Sequence, residues 1–295
     1  MKYSIPVHDL SHRDEPGRSE RHREDREEYS EILEHNPGGV DIMVGSFHIA
    51  TTYKTVADPE VVELDTWEAW VADMQMHYAL FKITTSPEGE PLELMINHKV
   101  RKTKATGPDY SANAGNWTTA FFLAVICREQ ERYRELCEIP VETLREYGES
   151  EGTRYNPYVY YWIAALQDFV LGGPDLGENL LKAMELSAPE QSEIGSAESL
   201  DKLIFPQLNA FRYLVQRDSD GFNEALAEGL VSHAEFWTTE DRVNEIDGVF
   251  HLGLLALACL AYDTAEVDPD FSLEVESGYL PKHLVRRSWY GEFPT

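Results

Sequence analysis

The chain has few cysteines, and their spacing excludes the usual roles of this residue. Its 295 residues include Cys127, Cys137 and Cys259, with no pair at CxxC spacing. An odd count without that spacing argues against a disulfide framework and against a thiolate zinc site. Two of the three lie on apolar helical patterns, so we expect reduced thiols in or near the core.

Basic residues are also scarce. The sequence holds 25 lysines and arginines against 53 aspartates and glutamates, for a formal net charge of −28. That balance disfavours nucleic acid, because phosphate binding requires a basic surface. Two explanations stay open: a globally acidic, salt-adapted (halophilic) surface, or an acidic face that complements a basic partner. Residues 105–295 are the more acidic part, with 33 acidic and 13 basic residues.

Long hydrophobic runs are missing as well. No run of about 18 uncharged apolar residues occurs, so the sequence predicts no membrane-spanning helix. The first 25 residues lack the apolar core of a signal peptide. We therefore expect a cytoplasmic protein that does not enter a membrane.

Catalytic and cofactor motifs are absent. The sequence contains no HExxH, GxSxG, P-loop or GxGxxG. His8 and His12 have a spacing of four but no supporting ligands nearby, and the many carboxylates make any single pair uninformative. We expect no metal, no cofactor and no enzymatic activity. An unrecognised hydrolase would need a deep pocket with convergent polar groups.

What the sequence does contain is helical periodicity. Apolar residues recur at helical spacing over residues 67–81 and 158–169, and residues 249–262 are apolar almost throughout. Residues 90–104 alternate around Asn97-His98, which predicts a short hairpin whose lysines and arginine lie on a solvated edge. The predicted fold class is all-α: a multi-helix bundle or stacked antiparallel helical pairs with one small β-hairpin.

The predicted organisation has two parts. Residues 1–40 form a polar extension, with a solvated helix from Pro16 to His35, and residues 41–295 form a single α-helical domain. No fixed repeat or low-complexity linker divides the second part. Asp65 is expected to cap the helix that follows it.

Residues 105–144 are the most informative stretch. A loop rich in glycine, asparagine and aromatic residues leads into a predicted helix over residues 116–136, apolar on all sides in its first half. The end of the chain, WYGEFPT, keeps its aromatic residues to the last positions, so we expect this tail to dock onto the body.

These blocks resemble the immunity protein 49 family of polymorphic-toxin systems. The similar segments, in order, are LDTWEAWVADMQMHYALF (64–81), ATGPDYSANAGNWTTAFFLAVICREQERYRELCEIPVETL (105–144), NPYVYYWIAALQDF (156–169), GFNEALAEGL (221–230), VESGYLPKHLV (275–285) and WYGEFPT (289–295). The resemblance implies a largely α-helical, cytoplasmic antidote that binds and blocks a cognate toxin. It carries over no catalytic residue.

Two functions follow as hypotheses. The first is an immunity protein that neutralises a toxin by protein–protein contact, where the acidic surface would steer a basic toxin such as a nuclease. The alternative is a non-catalytic helical scaffold or adaptor that binds a peptide or protein partner. The residues expected to contact the partner are Asp109, Tyr110, Asn113, Asn116, Trp117, Tyr279, Lys282 and His283; scaffolding within the chain is the competing role for all eight.

Overall fold

The structure, a computed structural model, describes residues 3–9, 18–191 and 193–295. Helices dominate it, and the predicted all-α fold with a small hairpin is confirmed. The helices are α1 (Arg18–His35), α2 (Val40–Ala57), α3 (Leu64–Thr85), α4 (Ala114–Ile126), α5 (Gln130–Cys137), α6 (Val141–Gly148), α7 (Tyr158–Leu171), α8 (Leu176–Leu186), α9 (Ala197–Ser199), α10 (Phe205–Gln216), α11 (Ser219–Trp237), α12 (Leu252–Ala265) and α13 (Lys282–Val285). The strands are β1 (Tyr3–Ile5), β2 (Pro91–Ile96), β3 (Lys99–Lys104) and β4 (Val275–Ser277).

The chain forms two compact units, and each combines one long segment with a short segment from the opposite end of the sequence. The hairpin unit consists of Leu10–Thr153 with Trp289–Thr295. The α12 unit consists of Met1–Asp9 with Arg154–Ser288. The predicted division at residue 40, with one folding domain after it, stays a prediction.

The core of the hairpin unit forms where α2, α3 and α4 pack together. Trp70 and Phe81 are almost completely buried on α3, and Phe121 on α4. These positions follow the helical spacing of the sequence, because residues three and four apart lie on one face of a helix. In the first half of the predicted helix over residues 116–136, residues 120–126 are buried on all sides as expected, whereas Asn116, Thr118 and Thr119 are only partly buried.

The leading helix is less solvated than its sequence indicates. On α1, Leu33 is fully buried and Arg26 is 2% exposed. The helix packs against α2 and against β3 of the hairpin. The expectation of a solvated helix was therefore wrong for this face, and its predicted start at Pro16 lies outside the described residues.

The hairpin is confirmed, with one difference at its edge. Strands β2 and β3 pair antiparallel around Asn97 and His98, which both have positive φ, as a two-residue turn that matches strand twist requires. The lysines of β3 are exposed, but Arg101 is only 2% exposed. Its guanidinium pairs with Glu27 at 3.0 Å and with Glu34 at 3.4 Å. Arg101 therefore fastens the hairpin to α1.

The predicted helix over residues 116–136 is two helices. Arg128 adopts a left-handed backbone with φ of 60° between α4 and α5. Its side chain donates to the Ile126 carbonyl at 2.8 Å, which satisfies a carbonyl that the helix end leaves open. Hydrophobic periodicity does not detect such a local reversal.

Asp65 does not cap α3, contrary to expectation, because the helix begins one residue earlier, at Leu64. The Asp65 carboxylate instead meets Arg23 at 3.0 Å, Arg26 at 3.4 Å and the Lys54 ammonium. Partial burial would raise the pKa of Asp65, but hydrogen bonds from Arg23 and Lys54 outweigh it and lower the pKa to about 2. This ion cluster joins α1, α2 and α3.

The α12 unit packs α10, α11 and α12 together. A π-helical turn, Leu200–Ile204, directly precedes α10, whose second residue is Pro206. Gly229 on α11 lets Leu254 approach, since an added Cβ would lie 3.0 Å from the Leu254 side chain. Close helix packing therefore depends on this glycine.

One described segment, Ile246–Ala265, is long and apolar enough to cross a membrane by length and composition, although the sequence analysis found no such run. It contains α12, whose Leu254, Leu255 and Cys259 are fully buried. Burial inside the α12 unit explains its apolar character. The expectation that the protein stays out of a membrane remains a prediction.

The C-terminal tail docks within the hairpin unit, as expected. The Trp289 indole N–H donates to the Val61 carbonyl at 2.8 Å. The Phe293 ring meets the His98 imidazole edge-on, with centroids 4.5 Å apart. Intramolecular packing thus accounts for Trp289 and Phe293, whereas Tyr290 is exposed.

Candidate partner-binding surface

The loop before α4 is held by its own polar side chains. Asp109 Oδ1 accepts from the Ser111 N–H at 2.8 Å and also from the Ser111 hydroxyl. The Ala112 N–H donates to the Asp109 carbonyl at 3.1 Å. An aspartate that binds the backbone two residues ahead closes a turn. Asp109 therefore shapes the loop.

Asn113 and Asn116 fasten this loop to the helix. The Asn113 Oδ1 caps α4 by accepting from the Asn116 N–H at 3.0 Å, and its Nδ2 donates to the Tyr110 carbonyl at 3.2 Å. The Asn116 Nδ2 donates to the Ser111 carbonyl at 2.8 Å. Caps of this kind stabilise a helix by roughly 1 kcal/mol. Both predicted residues thus hold the loop in one conformation.

Tyr110 is the exposed member of the loop, with 42% of its surface accessible. Its hydroxyl donates to Asp41 Oδ2 on α2 at 2.6 Å. That hydrogen bond, followed by the Asp41 charge, raises the pKa of Tyr110 to about 12. The ring is therefore a neutral, oriented aromatic group at the surface.

The helix that carries Asp41 exposes an apolar stripe beside this contact. Ile42 is 68% exposed and Ile49 is 47% exposed, two helical turns apart on one face. Gly45, between them, has an open Cβ position. Tyr110, Asp41, Ile42 and Ile49 together are called the Tyr110 surface below. The sequence analysis missed the two isoleucines. The available signal was their helical spacing in a segment, residues 42–49, that contains no acidic residue although the chain is rich in them.

Trp117, on α4, is fully buried. Its indole N–H donates to the Leu136 carbonyl at 2.8 Å, and its ring stacks on Phe121 at 5.2 Å. Its contacts are those of a core residue that joins α4 to α5. We therefore drop Trp117 from the surface expected to meet a partner.

Tyr279 is also fully buried, inside the α12 unit. Its hydroxyl lies 2.7 Å from His8 Nδ1 and 3.3 Å from the His8 backbone nitrogen. The His233 imidazole meets the Tyr279 ring edge-on at 4.9 Å. Tyr279 therefore secures the segment after β1 and is dropped from the expected contact surface as well.

His233 and His251 extend the cluster around Tyr279. The His233 Nε2 lies 3.1 Å from the Gly248 carbonyl, and the two imidazole centroids are 5.5 Å apart. Burial, followed by the neighbouring His251, lowers the pKa of His233 to about 3. Burial also lowers the pKa of His251, whose Nδ1 accepts from the Leu254 N–H at the start of α12. Both imidazoles are neutral structural groups at pH 7.

Lys282 and His283 begin α13 in the same unit. Lys282 is exposed and His283 is half-buried. The structure thus divides the eight predicted residues between the units, with five in the hairpin unit and three in the α12 unit. Of the eight, Tyr110 and Lys282 are the exposed ones.

A second polar cluster lies inside the hairpin unit. Asp73 on α3 is fully buried, with His48 Nδ1 and His77 Nδ1 each 2.9 Å from its carboxylate oxygens. Burial would raise the pKa of Asp73, but the charges and hydrogen bonds of the two imidazoles lower it to about 2. The two imidazoles thus stabilise a buried carboxylate. Because His48 lies on α2 and Asp73 on α3, the contact also holds these two helices together.

The cysteines are buried free thiols, as expected. Burial raises the pKa of Cys137 well above its usual range, so this sulfur is not a reactive thiolate. Among the described residues, no three histidine, cysteine or acidic side chains converge on a point that could hold a metal ion. His12, part of the spacing noted in the sequence, lies outside these residues.

Comparison of the sequence with models of known protein families identifies the family of this chain. Residues 58–284 match the model of immunity protein 49, a range that includes the α4 loop, α11 and Tyr279. No curated protein and no solved structure matches the chain. The match covers most of the sequence, agrees with the helical fold and includes the quoted blocks up to residue 284; the block at 289–295 lies beyond it. The chain therefore belongs to the immunity protein 49 family.

Proposed function

We propose that this protein binds a cognate toxin in the cytoplasm and neutralises it through protein–protein contact, without catalysis. Membership of an immunity family carries the proposal. The net charge of −28 supports a basic toxin, a class that includes nucleases, because opposite charges accelerate association.

The Tyr110 surface is the part of the hairpin unit that we assign to this contact. It offers an oriented aromatic ring beside two exposed isoleucines. Aromatic and aliphatic anchors at the centre of an interface supply most of its affinity, while the charges around them set the association rate. The loop hydrogen bonds of Asp109 and Asn113 hold this ring in place before binding, which lowers the entropic cost of association.

The test is co-expression with the product of the adjacent gene. We expect protected cells and a complex that co-purifies at fixed stoichiometry. In a reconstituted assay of the toxin's activity, inhibition should rise until the two proteins are equimolar. Failure to protect contradicts neutralisation, and a harmless co-purifying partner supports the adaptor alternative. Inhibition by far less than equimolar protein points instead to catalysis.

A further inference from the structure

A groove in the α12 unit lies between strand β1 and helix α11. Its volume is about 610 Å³, and Tyr3, Ser4 and Ile5 form one wall. Glu224, Glu228 and Val231 of α11 belong to the opposite wall. The groove is thus bounded by a strand on one side and by one face of a helix on the other.

In the part of the chain that the structure describes, the strand side of the groove has an unpaired edge. Tyr3 pairs with Val275 in parallel register, and its N–H donates to the Glu274 carbonyl at 2.9 Å. Because successive residues of a strand direct their backbone groups to alternate edges, the N–H and C=O of Ser4 point away from β4. Among the described residues the sheet contains only β1 and β4, and Ser4 is exposed. An open strand edge is a template for another strand.

The helix side is acidic and partly apolar. Glu224 and Glu228 are exposed, and no basic side chain in the described part of the chain forms an ion pair with either. Val231, almost one turn further along α11, is 44% exposed. Two exposed carboxylates on this wall favour an occupant that carries positive charge.

The spacing of the two carboxylates matches an extended chain. Residues four apart on a helix have Cβ atoms about 5–6 Å apart. Side chains two apart on one face of a strand are separated by about 6.6 Å. A strand that runs along α11 beside β1 could therefore carry two lysines or arginines at alternate positions, one for each of these glutamates.

We propose that this groove binds an extended, basic segment of a partner protein, which adds as a strand to the Ser4 edge of β1 with alternate cationic side chains toward Glu224 and Glu228. Main-chain hydrogen bonds to Ser4 would supply affinity, and the glutamates would select for positive charge. The proposal extends the proposed function, since such a segment would belong to the toxin.

The groove can be tested without a toxin. The probe is a fluorescent peptide that alternates lysine and valine, and its binding to the full chain is followed by anisotropy. The controls are the same peptide with glutamate for lysine and the same peptide with a central proline, which cannot pair as a strand. We expect binding of the lysine peptide only, weakening as salt is raised.

Variants of the chain locate the site. Glu224→Gln with Glu228→Gln should weaken peptide binding roughly five- to tenfold, since two exposed ion pairs are lost. The matched control, Glu178→Gln with Glu190→Gln, removes the same charge from exposed positions outside the groove and should leave affinity unchanged. Equal affinities for the two double variants overturn the proposal.

The strand edge has its own variant. Ser4→Pro removes an N–H that points away from β4, a position where an edge strand tolerates proline, and should weaken binding by about fivefold, the worth of one hydrogen bond. Ser4→Ala should bind normally. If Ser4→Pro does not fold, the glutamate variants still decide the matter. If the wild-type chain protects against the toxin but does not bind the lysine peptide, only the groove proposal is overturned. If it binds the peptide but does not protect, only neutralisation is overturned.

Discussion

The Tyr279 hydroxyl is hydrogen-bonded to His8, 271 positions earlier in the chain. The same hydroxyl also accepts the backbone N–H of His8 at 3.3 Å. One phenol therefore holds both the backbone and the side chain of the segment that follows β1.

Tyr279→Phe should destabilise the α12 unit by about 1–2 kcal/mol, because two partly buried hydrogen bonds between Tyr279 and His8 are lost. Urea unfolding measures the loss, and hydrogen exchange should rise at the amides of Tyr3–Ile5 first. Tyr290→Phe, at a position that is 61% exposed, is the control and should change neither. Unchanged exchange in β1 would show that Tyr279 does not hold it.

The His233 cluster predicts a loss of stability in mild acid. Burial lowers the pKa of His233 to about 3, below its value of about 6.5 in an unfolded chain. The unfolded state therefore takes up a proton as pH falls below about 6.5 while the native state does not, so stability declines with falling pH. From pH 7 to pH 5 this residue should cost about 2 kcal/mol.

His233→Gln should flatten that dependence, although the variant itself is less stable at pH 7. Guanidinium unfolding at a series of pH values gives the slope. Exposed His35→Gln is the matched control and should leave the slope as it is. A variant with the slope of the wild type contradicts the assignment to His233.

Asp73→Asn should cost about 3 kcal/mol at pH 7, because the two imidazoles lose the carboxylate that they share in the core. Its pKa of about 2 lies below the ordinary 3.8, so its contribution is complete above pH 4 and is lost as pH falls toward 2. The gap between wild type and variant should therefore narrow in acid. Glu93→Gln, in an exposed ion pair with Lys102, should change stability by less than about 0.5 kcal/mol.

Variants at Trp117 and Tyr110 should distinguish an effect on stability from an effect on toxin affinity. Trp117→Phe should lower stability by about 2 kcal/mol through the lost bond to Leu136 and lost packing, with the toxin affinity of the folded protein unchanged. Tyr110→Ala should leave stability within about 0.5 kcal/mol but weaken the toxin complex by about 2 kcal/mol, some thirtyfold. Calorimetry of both variants measures this, with exposed Tyr161→Ala as the control. Full affinity in Tyr110→Ala removes this surface from the interface.

The charge of −28 predicts that salt stabilises the fold. If the acidity is an adaptation to high salt, the melting temperature should rise by about 5 °C or more between low and molar potassium chloride, because screening relieves self-repulsion. Sucrose of equal osmolality is the uncharged control. A flat response favours the other explanation, an acidic face for a basic partner, and association with that partner should then slow as salt rises.

Much of the fold could be predicted from periodicity. The parts that could not be predicted have one physical cause in common: they depend on contacts between distant segments. Trp70 and Phe81 are buried as their spacing predicts, since helix faces are a local property. Asp65 looked like a helix cap because capping is also local, but Arg23 and Lys54 reach it from other helices. Arg101 was predicted to be solvated because its partners, Glu27 and Glu34, lie on α1, far away in the sequence.

The same limit applies to the candidate site. Tyr110 stands out in sequence as an aromatic residue in a polar loop, and it is exposed. Trp117 belongs to the same motif and is buried, since its partner Leu136 lies beyond a helix break that periodicity does not show. The pairing of β1 with β4 joins two segments of the α12 unit that lie far apart in the sequence. No local sequence pattern predicts this pairing.

The distribution of the termini has a consequence for biosynthesis. Residues 289–295 belong to the unit formed by the first half of the chain, and β1 finds its partner strand only at Val275–Ser277. Neither unit can reach its final structure before its late segment has been synthesised and has left the ribosome. We therefore expect each unit to finish folding at a rate limited by contacts between segments that lie far apart in the chain. If the protein acts as the proposed antidote, these segments must be made before the toxin becomes active.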